Sequence, residues 1–203
     1  MIKTIIFDLG NVLLNFSPIE YLSSKIPDEI KVQEVYKEIF LSEEWILLDR
    51  GDITEEEAVD RIYNRSSNNK KLIKLSMENW YELLTPIEES VKILKEVKLS
   101  GYKTLALSNF HLLAYENVIK KYNFFNYFDG GIISFKENLL KPENEIYKKL
   151  IMKYNIEPKE AIFIDDTKDN IESAKKLGFE TILFDNPINL RNELIKYKVL
   201  NSY

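Results

Sequence analysis

The segment TIIFDLGNVL, residues 4–13, decides the fold, because an uninterrupted apolar run ends in an acid. Thr4–Phe7 has the β-rich, continuously apolar character of a strand that is buried on both faces of a parallel sheet. Asp8 follows directly, and Gly10 lies two residues further on. In parallel α/β sheets, ligands bind beyond the carboxyl ends of the strands. The segment therefore predicts a buried strand with a functional acid at its end.

Four later runs share the character of the first strand, and helical patterns separate them. The runs cover residues 104–107, 131–134, 161–164 and 181–184, and the helical patterns cover residues 86–99, 110–121, 143–154 and 168–177. Alternation of strands and helices is typical of an α/β fold with a parallel sheet. We predict a doubly wound, Rossmann-like core.

Residues 16–85 break this alternation, because they contain no strand-like run. They predict helices over residues 18–25, 28–40, 42–48, 54–64 and 69–84, and Thr54 with Glu57 has the pattern of a capping box. A helical block of this size is too long to be a simple crossover. We predict a core of residues 1–15 and 86–203 with an all-helical lobe, residues 16–85, inserted into it.

The composition limits the function classes. The 203 residues include 28 basic and 33 acidic side chains, a net charge of -5, which disfavours a nucleic-acid partner. There is no cysteine, so disulfides, thiolate metal sites and a cysteine nucleophile are excluded within this sequence. We find no apolar stretch long enough for a transmembrane helix and no signal peptide pattern. We expect a cytoplasmic protein without a membrane partner; its oligomeric state stays open, and a monomer is compatible with the sequence.

Polar side chains that could take part in catalysis or binding follow the predicted strands and precede one predicted helix. They are Asp8, Ser108, Asn109, Lys141, Asp165 and Asp166. Two carboxylates about 4 Å apart repel by roughly 4 kcal/mol at an effective dielectric constant of 20, so three of them need a compensating cation or bound protons. Oxygen ligands without histidine or cysteine suit Mg²⁺. The sequence therefore predicts a magnesium site at the strand ends.

Each of these residues also has a simpler interpretation. The Asp165–Asp166 pair and the Ser108–Asn109 pair both precede helical patterns, where such residues are common helix caps. A helix start after Ser108 would equally offer N–H groups to a phosphate. Lys141 is either a solvated side chain or the positive charge that a phosphoryl group needs.

Two further positions have open interpretations. The single histidine, His111, is either an ordinary residue of the first helical turn or a group that borders the crevice and transfers protons. In the predicted helical lobe, Trp45, Asp49 and Arg50 either line a ligand site or form ordinary packing with an exposed ion pair.

The four segments FDLGNVL, LSNF, LLKPENEIY and FIDDTKDN together resemble the four motifs of the haloacid dehalogenase superfamily of hydrolases. The helical block resembles the alpha-helical cap that many members carry after the first strand. Within the superfamily, the DLGN form and the stretch EEWILLDRGDITEEE are most similar to bacterial phosphatases of the alpha-D-glucose-1-phosphate phosphatase type.

This resemblance implies a Mg²⁺-dependent phosphatase acting on a small phosphorylated metabolite, a sugar phosphate. Asp8 would attack phosphorus and form an aspartyl-phosphate. The resemblance assigns the phosphoryl oxygens to Ser108, Asn109 and Lys141, and it assigns Mg²⁺ to Asp8, the carbonyl of Gly10, and Asp165 or Asp166.

Gly10 departs from the family pattern. Most phosphatases of the superfamily carry a second acid there, which protonates the leaving group and activates water. General acid–base catalysis is typically worth about 10²–10⁴-fold, so its loss must be felt unless another group replaces it or the leaving group is good.

Two alternative functions stay open. A 2-haloacid dehalogenase of the same fold would use the Asp8 nucleophile without metal, although the Asp165–Asp166 pair argues for a cation. A non-catalytic phosphate-binding or regulatory protein would have lost turnover together with the second acid.

Overall fold

The computed structural model describes residues 1–201 and has a five-stranded parallel sheet at its centre. The strand order is β3-β2-β1-β4-β5. The strands are β1 (Thr4–Phe7), β2 (Lys103–Ser108), β3 (Gly130–Ile133), β4 (Ala161–Asp165) and β5 (Glu180–Leu183). The predicted α/β fold class is confirmed. The third strand ends one residue earlier than predicted, because Ser134 begins a short helix.

The register of the sheet brings the ends of β1, β2 and β4 to one edge. Phe7 lies opposite Ala106 on one side and Ile164 on the other. The chain keeps this alignment one residue further, since the Asp8 N–H donates to the Ile164 carbonyl at 2.9 Å. Because β1 is the central strand, Asp8 lies between the ends of its two neighbours.

Helices cover both faces of the sheet, which explains the continuous apolar runs. In β1, Ile5 and Phe7 belong to one buried cluster, whereas Ile6 belongs to a second cluster on the other face. Each residue of the strand therefore gains burial whichever way it points. The core helices are α6 (Glu88–Leu99), α7 (Leu112–Lys121), α8 (Ser134–Glu137), α9 (Asn144–Tyr154), α10 (Lys168–Lys176) and α11 (Pro187–Lys196), with 3₁₀ turns at Asn123–Tyr127 and Pro158–Glu160.

The segment between β1 and the helix α6 is helical throughout its regular structure. It contains α1 (Pro18–Lys25), α2 (Glu29–Ile39), α3 (Glu43–Arg50), α4 (Glu55–Arg65), α5 (Lys70–Met77) and a 3₁₀ turn at Trp80–Leu83. Thr54 and Glu57 form the predicted capping box at the start of α4. The helix predicted for residues 69–84 is wrong in its length, because Asn79 takes the left-handed conformation, with φ of 54°, and separates α5 from the 3₁₀ turn.

The chain enters and leaves this helical segment at one place. The Asn15 N–H donates to the Thr85 carbonyl at 2.7 Å, and the Ile87 N–H donates to the Leu13 carbonyl at 2.9 Å. This pairing is compatible with the boundaries predicted at residues 15/16 and 85/86, which stay a prediction. Of the helices within residues 1–201, none has both the length and the apolar character that a membrane crossing requires.

Candidate active site

Three carboxylates meet at the edge of the sheet where β1 and β4 end. Asp8, Asp165 and Asp166 each place a carboxylate oxygen within 4.8 Å of the others. Asp165 is fully buried and Asp8 is nearly so, whereas Asp166 is half-buried. Parallel pairing of β1 with β4 brings Asp8 to the two acids of the β4 end, which lie far from it in the sequence. The acid cluster expected from the sequence therefore forms.

The ammonium group of Lys141 lies between two of these acids. Its Nζ is 2.8 Å from Asp8 Oδ1 and 2.6 Å from Asp165 Oδ2. Burial disfavours the charged form of Lys141, but the charges of Asp165 and Asp8 outweigh burial and raise the pKa of Lys141. The interpretation of Lys141 as a solvated side chain is wrong, because only 5% of the residue is exposed.

Asn109 fixes the chain at Lys141. The Lys141 N–H donates to Asn109 Oδ1 at 2.8 Å, and Asn109 Nδ2 donates to the Lys141 carbonyl at 3.0 Å. Both ends of the amide are thereby used, and the link holds the β2 loop against the segment before α9. The helix α9 begins at Asn144, so Pro142 lies before α9 and not in its first turn.

Neither Ser108 nor Asn109 is a helix cap. The helix α7 begins at Leu112, and its N-cap is His111, whose side chain makes no capping hydrogen bond. The predicted start at Phe110 is wrong, because the backbone of His111 is extended, with φ of -77° and ψ of 150°, so the helix cannot begin before it. The Phe110 N–H donates to Ser134 Oγ at 2.8 Å. Ser108 is the last residue of β2, and it is buried at the edge of the sheet.

The two neighbouring acids of β4 have different surroundings. Asp165 accepts hydrogen bonds from the Thr167 N–H at 2.8 Å and from Asn170 Nδ2 at 3.0 and 3.1 Å, in addition to its contact with Lys141. Asp166 accepts from Asn11 Nδ2 at 3.1 Å. Asp165 is thus saturated with donors, whereas Asp166 retains capacity for a further ligand.

Sequence reasoning missed the roles of Asn11 and Asn170, although they lie in the quoted segments FDLGNVL and FIDDTKDN. Asn170 lies in the first turn of α10, five residues after the acid it binds. Asn11 follows Gly10 directly and has a φ of 52°. The signal was an amide close to each acidic position, but an amide at a turn is too common to predict such a contact.

The electrostatics of the site favour bound positive charge. Burial raises the pKa of Asp8 to about 7, and the nearby Asp165 adds to this effect while Lys141 opposes it. Burial also raises the pKa of Asp166. With all three acids ionised, Lys141 compensates one charge and two negative charges remain. A hard divalent ion such as Mg²⁺ fits this set of oxygen donors.

A pocket is shared by the core and the helical segment, and it reaches Gly10, two residues after Asp8. Its walls are formed by nine residues: Gly10, Phe16, Trp45, Asp49, Trp80, Leu84, Asn109, Phe110 and His111. The prediction that Trp45 and Asp49 line a site therefore agrees with their position. Arg50 does not line this pocket; its guanidinium group instead forms a two-pronged ion pair with Glu143, with Nη1 3.1 Å from Oε2.

His111 is buried in the wall of this pocket. Its ring centroid lies 4.2 Å from that of Trp45 and 5.1 Å from that of Trp80. Its Nε2 is 3.1 Å from Asp49 Oδ1, without the alignment of a hydrogen bond. His111 thus borders the crevice, as one of its two interpretations requires.

Known proteins with a similar sequence or structure point to one family. A crystal structure of a haloacid dehalogenase-family enzyme from Bacteroides thetaiotaomicron, in complex with magnesium and inorganic phosphate, matches with a TM-score of 0.71 and 28% identity, over 91% of this chain and 95% of that chain. D-ribitol-5-phosphate phosphatase from the same organism is 36% identical over 77 residues, 38% of this chain and 36% of the relative.

A longer alignment joins this chain to part of a much larger protein. Acyl-CoA dehydrogenase family member 10 from Mus musculus is 25% identical over 202 residues, which is 95% of this chain. The chain spans 19% of the length of that relative. The family model of haloacid dehalogenase-like hydrolases matches residues 2–178. The chain therefore belongs to the haloacid dehalogenase-like hydrolase family.

Proposed function

We propose that this protein is a Mg²⁺-dependent phosphatase that hydrolyses a small phosphomonoester through an aspartyl-phosphate. The observation that carries the proposal is the placement of Asp8, whose carboxylate shares a buried edge with two further acids and the ammonium group of Lys141. Phosphoryl transfer depends mostly on positioning and charge neutralisation, and this edge supplies both.

Asp8 is the nucleophile in this proposal. Its Oδ1 accepts from the Leu9 N–H at 2.8 Å and contacts Lys141, so these donors orient the carboxylate and leave Oδ2 for attack on phosphorus. Lys141 and Ser108 hold the phosphoryl oxygens. Both ends of the Asn109 side-chain amide bind the Lys141 backbone. Asn109 therefore contributes to phosphoryl binding through its own backbone N–H and by positioning Lys141.

The environments of the acids separate their roles toward the metal. Asp8, Asp166 and the carbonyl of Gly10 are the ligands we propose for Mg²⁺, whose charge lets an anionic nucleophile approach an anionic ester. Asp165 already accepts hydrogen bonds from Lys141, Thr167 and Asn170. Its main role in the proposal is therefore to orient Lys141, and a contact with the metal is secondary.

The substrate we propose is a sugar phosphate or a sugar-alcohol phosphate. The pocket beside Asp8 has aromatic walls, including Trp45, and a few polar groups, including Asp49, which is the usual construction of a small-molecule site. The similarity to D-ribitol-5-phosphate phosphatase supports this class. The sequence resemblance to alpha-D-glucose-1-phosphate phosphatases supports a sugar 1-phosphate, whose hemiacetal oxygen is a good leaving group.

A screen of phosphorylated metabolites, with Mg²⁺ and with EDTA, tests the function. We expect phosphate release from at least one sugar phosphate that requires Mg²⁺ and is abolished in Asp8→Asn, while the melting curve of this variant shows an intact fold. Release that persists in Asp8→Asn would remove the nucleophile assignment. Turnover of 2-haloacids in EDTA would favour the dehalogenase, and binding of Mg²⁺ and phosphate without any turnover would favour the non-catalytic alternative.

A further inference from the structure

His111 is a buried side chain whose Nδ1 has no partner and whose Nε2 has only an unaligned contact, 3.1 Å from Asp49 Oδ1. The residue is 3% exposed, and neither ring nitrogen has an aligned hydrogen-bond partner within residues 1–201. A buried polar group without a partner costs free energy, so most are paired in folded proteins. An exception that faces a pocket is explained when a bound molecule supplies the missing partner.

The pocket that contains His111 also contains Gly10, which lies two residues after Asp8. Gly10 has no side chain that could carry a proton, and the lining residues that can do so are Asp49 and His111. A histidine titrates near neutral pH, which suits a group that gives and takes a proton in one turnover. Gly10, which lacks an acidic side chain, and His111, whose Nδ1 lacks a partner, therefore line the same pocket.

Asp49 lies directly beside this histidine. Its Oδ1 lies 3.1 Å from His111 Nε2, which leaves Nδ1 as the second proton-carrying atom of the ring. Asp49 comes from α3, and its backbone carbonyl accepts from Ser134 Oγ of the core. Trp45, one turn earlier on α3, packs on the same imidazole ring. The helical segment between β1 and α6 thus completes a His–Asp pair with a histidine of the core.

We propose that His111 is the proton-transfer residue of the phosphatase, with Asp49 as its positioning residue; the inference rests on the proposed function. In the first step, Asp8 Oδ2 forms a bond to phosphorus while the bond from phosphorus to the ester oxygen breaks. The imidazolium Nδ1 gives its proton to that oxygen, and the alcohol leaves. In the second step, water attacks phosphorus, the bond from Asp8 to phosphorus breaks, and the neutral imidazole takes the proton of the water. Phosphate leaves and the imidazolium is restored.

Leaving-group dependence tests this role, because only a poor leaving group needs a proton. We compare kcat/KM of the wild type, His111→Gln and Asp49→Asn on 4-nitrophenyl phosphate, phenyl phosphate and an alkyl phosphate found in the metabolite screen. For His111→Gln we expect a loss of about 10²–10⁴-fold on the alkyl ester and less than about tenfold on the nitrophenyl ester. Asp49→Asn should show a smaller loss with the same order of substrates.

Trp45→Phe is the matched control, since it disturbs the packing of the same imidazole ring but removes no proton carrier. We expect this variant to lose similar activity on all three esters.

A loss in His111→Gln that is equal for all three esters, in a protein with an unchanged melting temperature, would overturn the inference. If His111→Gln does not fold, Asp49→Asn is used instead. The inference is then overturned if kcat/KM of Asp49→Asn depends on the leaving group in the same way as kcat/KM of the wild type. An inactive wild type would contradict the phosphatase proposal, whereas an active wild type with parallel variant profiles contradicts the proton transfer alone.

Discussion

Lys141 Nζ lies 2.6 Å from Asp165 Oδ2 at a place where neither side chain has appreciable contact with solvent. The ammonium group also lies over the aromatic ring of Phe163, with 5.6 Å from Nζ to the ring centroid. A buried ion pair of this kind adds little net stability as a pair, but removing one partner leaves the other charge uncompensated. The pair therefore serves to hold a positive charge against Asp8.

Replacing Lys141 by Met should separate stability from activity. Loss of one partner of a buried ion pair typically costs about 3–5 kcal/mol, so we expect a clearly lower free energy of unfolding by urea denaturation. The double variant Lys141→Met/Asp165→Asn removes the second charge as well and should recover part of this loss. Neither protein should release phosphate, because the charge beside Asp8 is absent in both. A double variant as unstable as the single one would contradict the charge argument.

Asp166→Asn and Asp165→Asn should fail in different ways. Asp166 retains capacity for a ligand, so its amide variant should keep the melting temperature and bind Mg²⁺ at least tenfold more weakly in a calorimetric titration. Asp165 accepts from Thr167 and Asn170 and contacts Lys141, so its amide variant should lower the melting temperature. Equal Mg²⁺ affinity in Asp166→Asn and the wild type would contradict the assignment of this ligand.

The fold could be predicted because its central strands are unambiguous. Residues such as Ile5 and Ile6 are buried on opposite faces, and such burial requires an apolar residue at every position. Once the sheet is parallel, Asp8 and Asp165 must meet at its edge. The helix α11 was not predicted, although Leu190 and Leu194 have the spacing of one buried helix face, because the exposed Ile188 obscures the apolar pattern.

The finer parts of the site depend on contacts that no local pattern encodes. Arg50 and Glu143 are 93 residues apart, so their pairing follows only from the way the helical segment lies on the core. The direction of the His111 side chain was equally open, because its orientation depends on Trp45 and Trp80. Sequence reasoning could nominate Arg50 and His111, but it could not choose between their interpretations, and it did not nominate Glu143 or Trp80.

The Arg50–Glu143 pair should make the stability of the protein depend on acidity. The hydrogen bond from Arg50 lowers the pKa of Glu143 below its ordinary value of 4.5. An acid with a lowered pKa in the folded state stabilises the fold above its unfolded pKa, and this contribution is lost as the pH falls through the folded value. We expect Arg50→Gln to melt below the wild type at pH 7, with a gap that closes as the pH falls below about 4.5.

An exposed pair within one helix provides the control for this titration. Lys92 and Glu89 are both well exposed on α6, so Lys92→Gln should change the melting temperature at pH 7 by less than Arg50→Gln does. A gap for Arg50→Gln that stays constant from pH 7 to pH 3 would show that the guanidinium group acts through packing and not through the charge of Glu143.

Gly10→Asp should restore activity to a protein that has lost His111. A Cβ atom at Gly10 would meet no atom within 4 Å among the described residues other than Gly10 and its two chain neighbours, and the backbone there is not left-handed, so the substitution is sterically permitted. The new carboxyl group would enter the pocket that His111 lines. In His111→Gln, we expect the added Asp to raise kcat/KM on the alkyl phosphate at least tenfold, with little change on 4-nitrophenyl phosphate. Gly10→Asn in the same background has nearly the same shape but no acid, so equal rescue by Asn and Asp would assign the effect to packing and leave the proton pathway without support.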